Sequence, residues 1–393
     1  MPVLLQINTT SNWGSTGRIA ENIGLAAMEA GWESLIAYGR MHTPSKSETL
    51  CTTRRTEVYA HYAAARAFDR EGLCSPLAAG RLIRYIREIR PDVVHIHNIH
   101  GHWMNYRILF EYLNEAAVPV VWSTHDCWPI TGHCYHFVHS GCDKWATGCS
   151  HCGHSDAFVD RSERNYNLKK SLFCAAELYP VVASKWLEGV YGRSFLGEKK
   201  ISVIPNGIDT RIFRPCGEEA ADGSFTIIGV ATAWSDAKGL GDYARLASRL
   251  PEDCHIILVG LDPERGRALP SNVTCIAKTQ NQAELARLYS SADVLLSLSY
   301  AESFGLTVAE SFACGTPAIV YDNTAQPEHI TPETGAVVPT GDIDALLARI
   351  QEFRDIGFKA AHTQDCRDRA VTYYDSKANF RKYIELYNDI LVR

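Results

Sequence analysis

Short apolar runs alternate with amphipathic helical patterns along this chain, and that alternation constrains its fold more than any other feature. Strand-like runs stand at Val3–Asn8, Glu33–Tyr38, Val93–His97, Val120–Thr124 and Val181–Ser184, then at Thr226–Ala231, His255–Gly260, Val273–Ala277, Val294–Ser299 and Ala318–Tyr321. Helical patterns fall between them at Arg18–Ala30, Gly80–Ile89, Tyr106–Glu115, Leu240–Leu250, Gln282–Ser291 and Leu306–Cys314. Strands covered by helices on both faces read as continuous apolar runs, and intervening helices make neighbouring strands parallel. The pattern predicts an α/β protein of two doubly wound, Rossmann-like domains. At 393 residues the chain also exceeds what one core usually supports. The turn formers of Ile204–Asp209 mark the expected boundary, giving domains 1–205 and 206–375. A last helix over 376–393 carries Phe380, Tyr383, Ile384 and Tyr387 at helical spacing.

Hydrophobic content of 46% and charged content of 21% fit a soluble globular protein. No run approaches the ~18–20 apolar residues of a membrane span, and the start has no basic region or cleavage site. The expectation is a cytoplasmic chain whose 13 cysteines are reduced. Residues 1–205 hold 21 Lys and Arg against 19 Asp and Glu, so the first half is mildly basic within a net charge of −6. No nucleic-acid partner is expected. Arg81, Arg84 and Arg87 repeat along one helix face, which suits either a solvated surface or peripheral contact with an anionic membrane.

The densest chemistry lies in SYAESFGLTVAESFACG, Ser299 to Gly315. An apolar run ends just before it and a helical pattern follows, so it reads as strand, glycine-bearing loop, helix. Free amides and the macrodipole at a helix N-terminus bind anions, and Gly305 allows a phosphate close to the main chain. Glu302 on the loop and Glu310 inside the helix would accept hydrogen bonds from hydroxyls, as on a sugar and a ribose. After the strand at Thr226–Ala231, Lys238 can set an ammonium beside a diphosphate. In the first half, Gly14 and Gly17 precede the first helix, His95 and His97 lie on one strand, and His125-Asp126 ends the next. Loops at the carboxyl ends of parallel strands are where such sheets bind ligands.

The segment from Glu302 to Pro317 resembles the paired-glutamate signature of family 4 retaining glycosyltransferases, with Glu302, Gly305, Leu306, Glu310, Gly315 and Pro317 at the matching positions. The resemblance implies the GT-B fold, two Rossmann-like domains facing a cleft, with the acceptor on the first and a nucleotide-sugar donor on the second. It implies that Glu302 contacts the donor sugar and Glu310 the ribose. Phe304, Gly305 and Leu306 line the diphosphate, helped by Lys238 and by the loop of Gly14 and Gly17. His125 matches the family histidine that contacts the donor sugar or reaction centre. The family arginine five positions before the lysine is replaced by Ala233, so half of that clamp is missing. The implied reaction is a hexosyl transfer with retention, in which a leaving-group phosphate oxygen takes the acceptor proton and no metal is required. A catalytically silent, nucleotide-sugar-binding scaffold is the alternative.

Cys134, Cys142, Cys149 and Cys152 crowd an insert spanning 131–154 that closes in Cys-x2-Cys. The set fits a structural zinc, with His133, His136 or His151 able to replace one ligand, and it also fits plain reduced thiols. The insert and the Thr-His-Asp-Cys-Trp before it resemble the colanic-acid subgroup serving bacterial exopolysaccharide and O-antigen assembly. There the acceptor is commonly a saccharide on a polyprenyl diphosphate at the inner membrane face.

Overall fold

A computed structural model describes residues 1–153, 155, 157–216 and 224–392. Residue 154, the last of the expected insert, and residue 393, the last of the expected terminal helix, lie outside them. The chain divides into two compact units: Met1–Ile204 joined by Lys377–Arg393, and Pro205–Ser376.

The first unit is built on seven parallel strands: β1 (Val3–Asn8), β2 (Glu33–Tyr38), β3 (Glu48–Cys51), β4 (Val93–Ile96), β5 (Val120–Thr124), β6 (Leu178–Val182) and β7 (Ser202–Val203), in the order 3-2-1-4-5-6-7. Alternate residues enter two cores. Leu5, Ile7, Val94, Ile96 and Trp122 pack on one face, while Leu4, Val93, Val121 and Val181 pack on the other. The second face is covered by the helix Gly14–Glu29 and by the C-terminal helix Ser376–Leu391, whose Phe380, Tyr383, Ile384, Tyr387 and Ile390 are all buried. At about 25 cal/mol per Å2 each such side chain contributes ~1.5–3 kcal/mol, so the returning helix is part of this unit's core.

The second unit holds six parallel strands: β8 (Phe225–Val230), β9 (Cys254–Val259), β10 (Val273–Ile276), β11 (Val294–Ser297), β12 (Ala318–Tyr321) and β13 (Gly335–Val338), in the order 10-9-8-11-12-13. In both units the strand order reverses beside the first strand. The two reversal points lie between β1 and β4 and between β8 and β11. There the loops leaving neighbouring strands part, which opens a crevice for ligands at the strands' carboxyl ends.

Every strand run read from the sequence finds a strand, shifted by a residue or two at the ends, except that β6 begins at Leu178, with Pro180 accommodated opposite Trp122. The pattern misses β3, β7 and β13, which are short edge strands with little apolar length. It also misses the helices Arg55–Phe68, Ser162–Ala175, Lys185–Arg193, Ile343–Asp355 and Phe358–Tyr374. The first of these buries only His61 and Ala65, so it has almost no apolar stripe to read. Arg81 is not a free surface cation. Its guanidinium donates to the Thr52 carbonyl at 2.6 Å and pairs with Glu57. Among the described residues no helix is long and apolar enough to cross a membrane.

Candidate functional site

In the second unit the loop after β8 forms a short 3-10 turn, Asp236–Lys238, closed by Gly239. Gly239 takes φ +74°, and a Cβ there would fall 2.3 Å from the Leu298 carbonyl oxygen, so only glycine lets this turn lie against the end of β11. The Tyr300 amide donates to the Ala237 carbonyl at 2.9 Å and joins the two loops. This seating brings Lys238 to Glu302: Nζ donates to Oε1 at 2.5 Å, with both side chains half-buried. Glu302 is held from behind, its amide donating to Thr324 Oγ1 at 2.9 Å.

Three residues on, the chain turns into the helix Leu306–Ala313 at Gly305, whose φ of +101° suits no L side chain. Among the described residues no side-chain hydrogen bond caps this helix, so its first amides keep their positive end for an anion. Phe304 is buried, and its carbonyl accepts a hydrogen bond from His329 Nε2. His329 Nδ1 in turn accepts from Tyr374 Oη at 2.7 Å. Burial pushes His329 down to about 4, so it stays neutral and acts as a strut for the loop. Glu310, one turn into the helix, accepts from Tyr289 Oη at 3.0 Å. Ala233, where a cation was expected, is exposed on the loop after β8.

The first unit's reversal point is furnished differently. Gln6 on β1 donates through Nε2 to the Ala20 carbonyl at 2.8 Å, which aims Oε1 at His97 Nε2, 3.0 Å away. His97 Nε2 must then carry the proton, so Nδ1 accepts from His125 Nε2 at 3.2 Å. The His97 and His125 rings are nearly parallel, 9° apart. Burial drives His97 well below its ordinary value and His125 to about 4, so both are neutral near pH 7 and His125 Nδ1 holds a lone pair. Beside them Asp126 accepts from His100 Nε2 at 2.9 Å and from the Trp128 amide at 2.8 Å. Burial alone would raise Asp126, but His100 and that amide outweigh it and hold the carboxyl below its usual range. His95 lies on the same strand face, its ring 4.2 Å from that of His97, and is bonded to Tyr387 and Ser123, which ties it to the C-terminal helix. Gly14 opens the first helix, which also lacks a side-chain cap, and Gly17 lies one turn in against Thr10.

Lys238, Glu302, Phe304, Gly305, Leu306 and Glu310 thus share one end of the second sheet, while His125, Gly14 and Gly17 share one end of the first. Residues 16–212 match the family model described as "Glycosyltransferase Family 4", and residues 221–369 match "Glycosyl transferases group 1".

This chain belongs to glycosyltransferase family 4.

It is a glycosyltransferase of GT-B class, with two parallel-sheet Rossmann-like domains. It is 21% identical to the putative colanic acid biosynthesis glycosyl transferase WcaC of Escherichia coli strain K12, over 98% of this chain and 100% of that one. The fold resembles sucrose-phosphate synthase from Thermosynechococcus elongatus, with TM-score 0.76 and 19% identity over the full length of both chains. It also resembles Anabaena HepE in complex with UDP and glucose, with TM-score 0.70 and 14% identity over 99% of each chain.

The cysteine insert of this family 4 glycosyltransferase follows β5 after the short 3-10 turn Trp128–Ile130. Cys134, Cys142, Cys149 and Cys152 are half-buried free thiols lining one small cavity. Residues that sequence reasoning missed act through distant partners: Gln6, Tyr289, His329 and Tyr374. None lies in a recognisable motif. Only the pairing of His329 with Pro327 after β12 hints at a fixed turn.

Proposed function

We propose that this enzyme transfers a hexose-type sugar, with retention, from a nucleotide-sugar donor to a saccharide acceptor in bacterial surface-polysaccharide synthesis. The observation that carries the proposal is the Lys238–Glu302 pair beside the uncapped start of Leu306–Ala313. A diphosphate needs a cation and oriented amides, and both converge there. Lys238 and the amides of Gly305 and Leu306 stabilise the charge that develops as the bond from the anomeric carbon to the diphosphate breaks. Glu302 accepts from the sugar hydroxyls and Glu310 from the ribose. The acceptor oxygen forms the new bond on the same face, and a phosphate oxygen of the leaving group takes its proton. No protein nucleophile is needed. His125, a neutral imidazole at the end of β5, contacts the donor sugar. WcaC is by its name a putative glycosyl transferase of colanic acid biosynthesis, which supports a polysaccharide product; the mildly basic first half suits an acceptor presented on an anionic lipid surface.

Ala233 favours one rival reading, a donor-binding protein without turnover. A panel of UDP-, GDP- and dTDP-sugars, followed by melting temperature and nucleotide release, separates the two. UDP-sugars come first because HepE is known with UDP and glucose. One donor that raises the melting point and is turned over supports transfer. Stabilisation without release, with lipid-linked acceptors present, supports the rival. No stabilisation by any donor removes both. Product stereochemistry, read from the anomeric coupling constant, tests retention.

A further inference from the structure

We infer that the insert after β5 is a structural zinc knuckle whose four ligands are the thiolates of Cys134, Cys142, Cys149 and Cys152. All four line one cavity of about 20 Å3, room for a single ion or water molecule. His133, Cys134 and Cys152 each bring one ligand atom within 4.8 Å of the others, and Cys142 and Cys149 line the same cavity. Four thiolates around a d10 ion favour a closed tetrahedral site, which is the structural and not the catalytic form.

The surroundings match the charge of such a site. Zinc with four thiolates carries a net charge of −2, which needs N–H donors and a nearby cation. The Gly132 amide donates to Cys149 Sγ at 3.3 Å. His133 Nδ1 lies 3.1 Å from Asp69 Oδ2 and Nε2 lies 3.1 Å from Cys152 Sγ; only as the imidazolium would it donate to both and act from the outer sphere. Asp69 is itself fixed by the Arg161 amide at 2.9 Å. Lys169 is fully buried, and its ammonium donates to the carbonyls of Trp128 and Thr131 beside the cluster. Glu71, Cys149, Asp126 and Asp69 are the anionic groups around that ammonium, so a thiolate at Cys149 would add to its counter-charge.

The backbone also needs a staple. Its regular structure between Thr131 and Gly153 is the 3-10 turn Lys144–Ala146. Phe137 stacks on Trp145 at 4.6 Å, a small apolar cap. Lys144 Nζ draws the Ser150 and His151 carbonyls inward, and His151 takes φ +46°, which turns Cys152 back toward Cys134. Tyr135, His136 and His139 of the same insert line a cavity of about 520 Å3 with Glu71 and His102, so the metal would set one wall of it.

Elemental analysis of the purified enzyme should find one zinc per chain, released in full by an organomercurial. Cobalt(II) in its place should give the intense thiolate charge-transfer bands of a tetrahedral site. Cys134→Ser and Cys152→Ser should each lower zinc occupancy at least ten-fold, while His133→Ala and the exposed Cys51→Ser keep it. Circular dichroism checks that the variants fold, and His133→Ala reads the ligand set without removing a thiol. Metal-free protein that takes up neither zinc nor cobalt after reduction would overturn the inference, as would iron with acid-labile sulfide. Loss of zinc in His133→Ala with retention in Cys142→Ser would overturn the four-thiolate set.

Discussion

The two units use the same strand order and furnish its reversal point in opposite ways. Beside β8 and β11 stand an ion pair, Lys238–Glu302, and a bare helix start, both half-open to water. Beside β1 and β4 stand imidazoles stripped of charge by burial and ordered by a single amide, Gln6. A charged, accessible end can hold and release an anion. An end of neutral imidazoles beside a buried carboxylate can hold a hydroxyl without attracting phosphate. Topology therefore fixes where a ligand binds, and local burial fixes what kind.

The largest expected effect tests the charged end. Lys238→Ala or Glu302→Ala should each lower kcat/KM by ~100–1000-fold, about 3–4 kcal/mol, with little change in melting temperature. Retained activity in both variants would remove the assignment. On the neutral end, His125→Ala should cost ~10–100-fold in kcat, roughly the loss of one or two oriented hydrogen bonds to a charged transition state. An unchanged kcat would make this network purely structural.

Acid should separate the two units. His61, His95, His97 and His125 in the first unit, and His329 in the second, are all held below 6.5 by burial, three of them at about 4. The unfolded chain then binds more protons between pH 4 and 6.5. The stability these groups contribute is complete above 6.5 and is lost as pH falls. The melting temperature should drop by roughly 5 °C or more from pH 7 to 5. Hydrogen exchange, corrected for intrinsic rate, should show the first unit opening first. Equal loosening of both units would contradict the contrast.

Smaller effects sharpen the picture. Gly305→Ala forces a side chain to φ +101° and should cost ~1–3 kcal/mol in stability, with weaker donor binding by calorimetry. Tyr289→Phe removes one hydrogen bond from Glu310 and should raise the donor KM a few-fold, about 0.5–1.5 kcal/mol, at unchanged kcat.

The central strands were legible because burial on both faces leaves no room for polar residues: VLLQIN of β1 and FTIIGV of β8 announce themselves. Edge strands such as ETLC and SV have one free side and carry no such mark. The site followed the same rule. Lys238 and Glu302 were each readable within a local motif, but their contact spans 64 positions and depends on Gly239 fitting against Leu298. His329 and Gln6 were invisible because each acts only through a partner on another element, His329 through Phe304 and Tyr374, Gln6 through His97.

The return of the chain from Ser376 into the first unit has a practical corollary. The segment Pro205–Ser376 is one uninterrupted stretch inserted into a unit whose own sequence is split around it. Recombination could therefore replace it as a cassette, keeping both ends of the host. Swapping everything after residue 204 would instead exchange Phe380, Tyr383 and Tyr387 for a stranger's helix, on a sheet face shaped to them. Chimaeras cut twice should be soluble where chimaeras cut once are not.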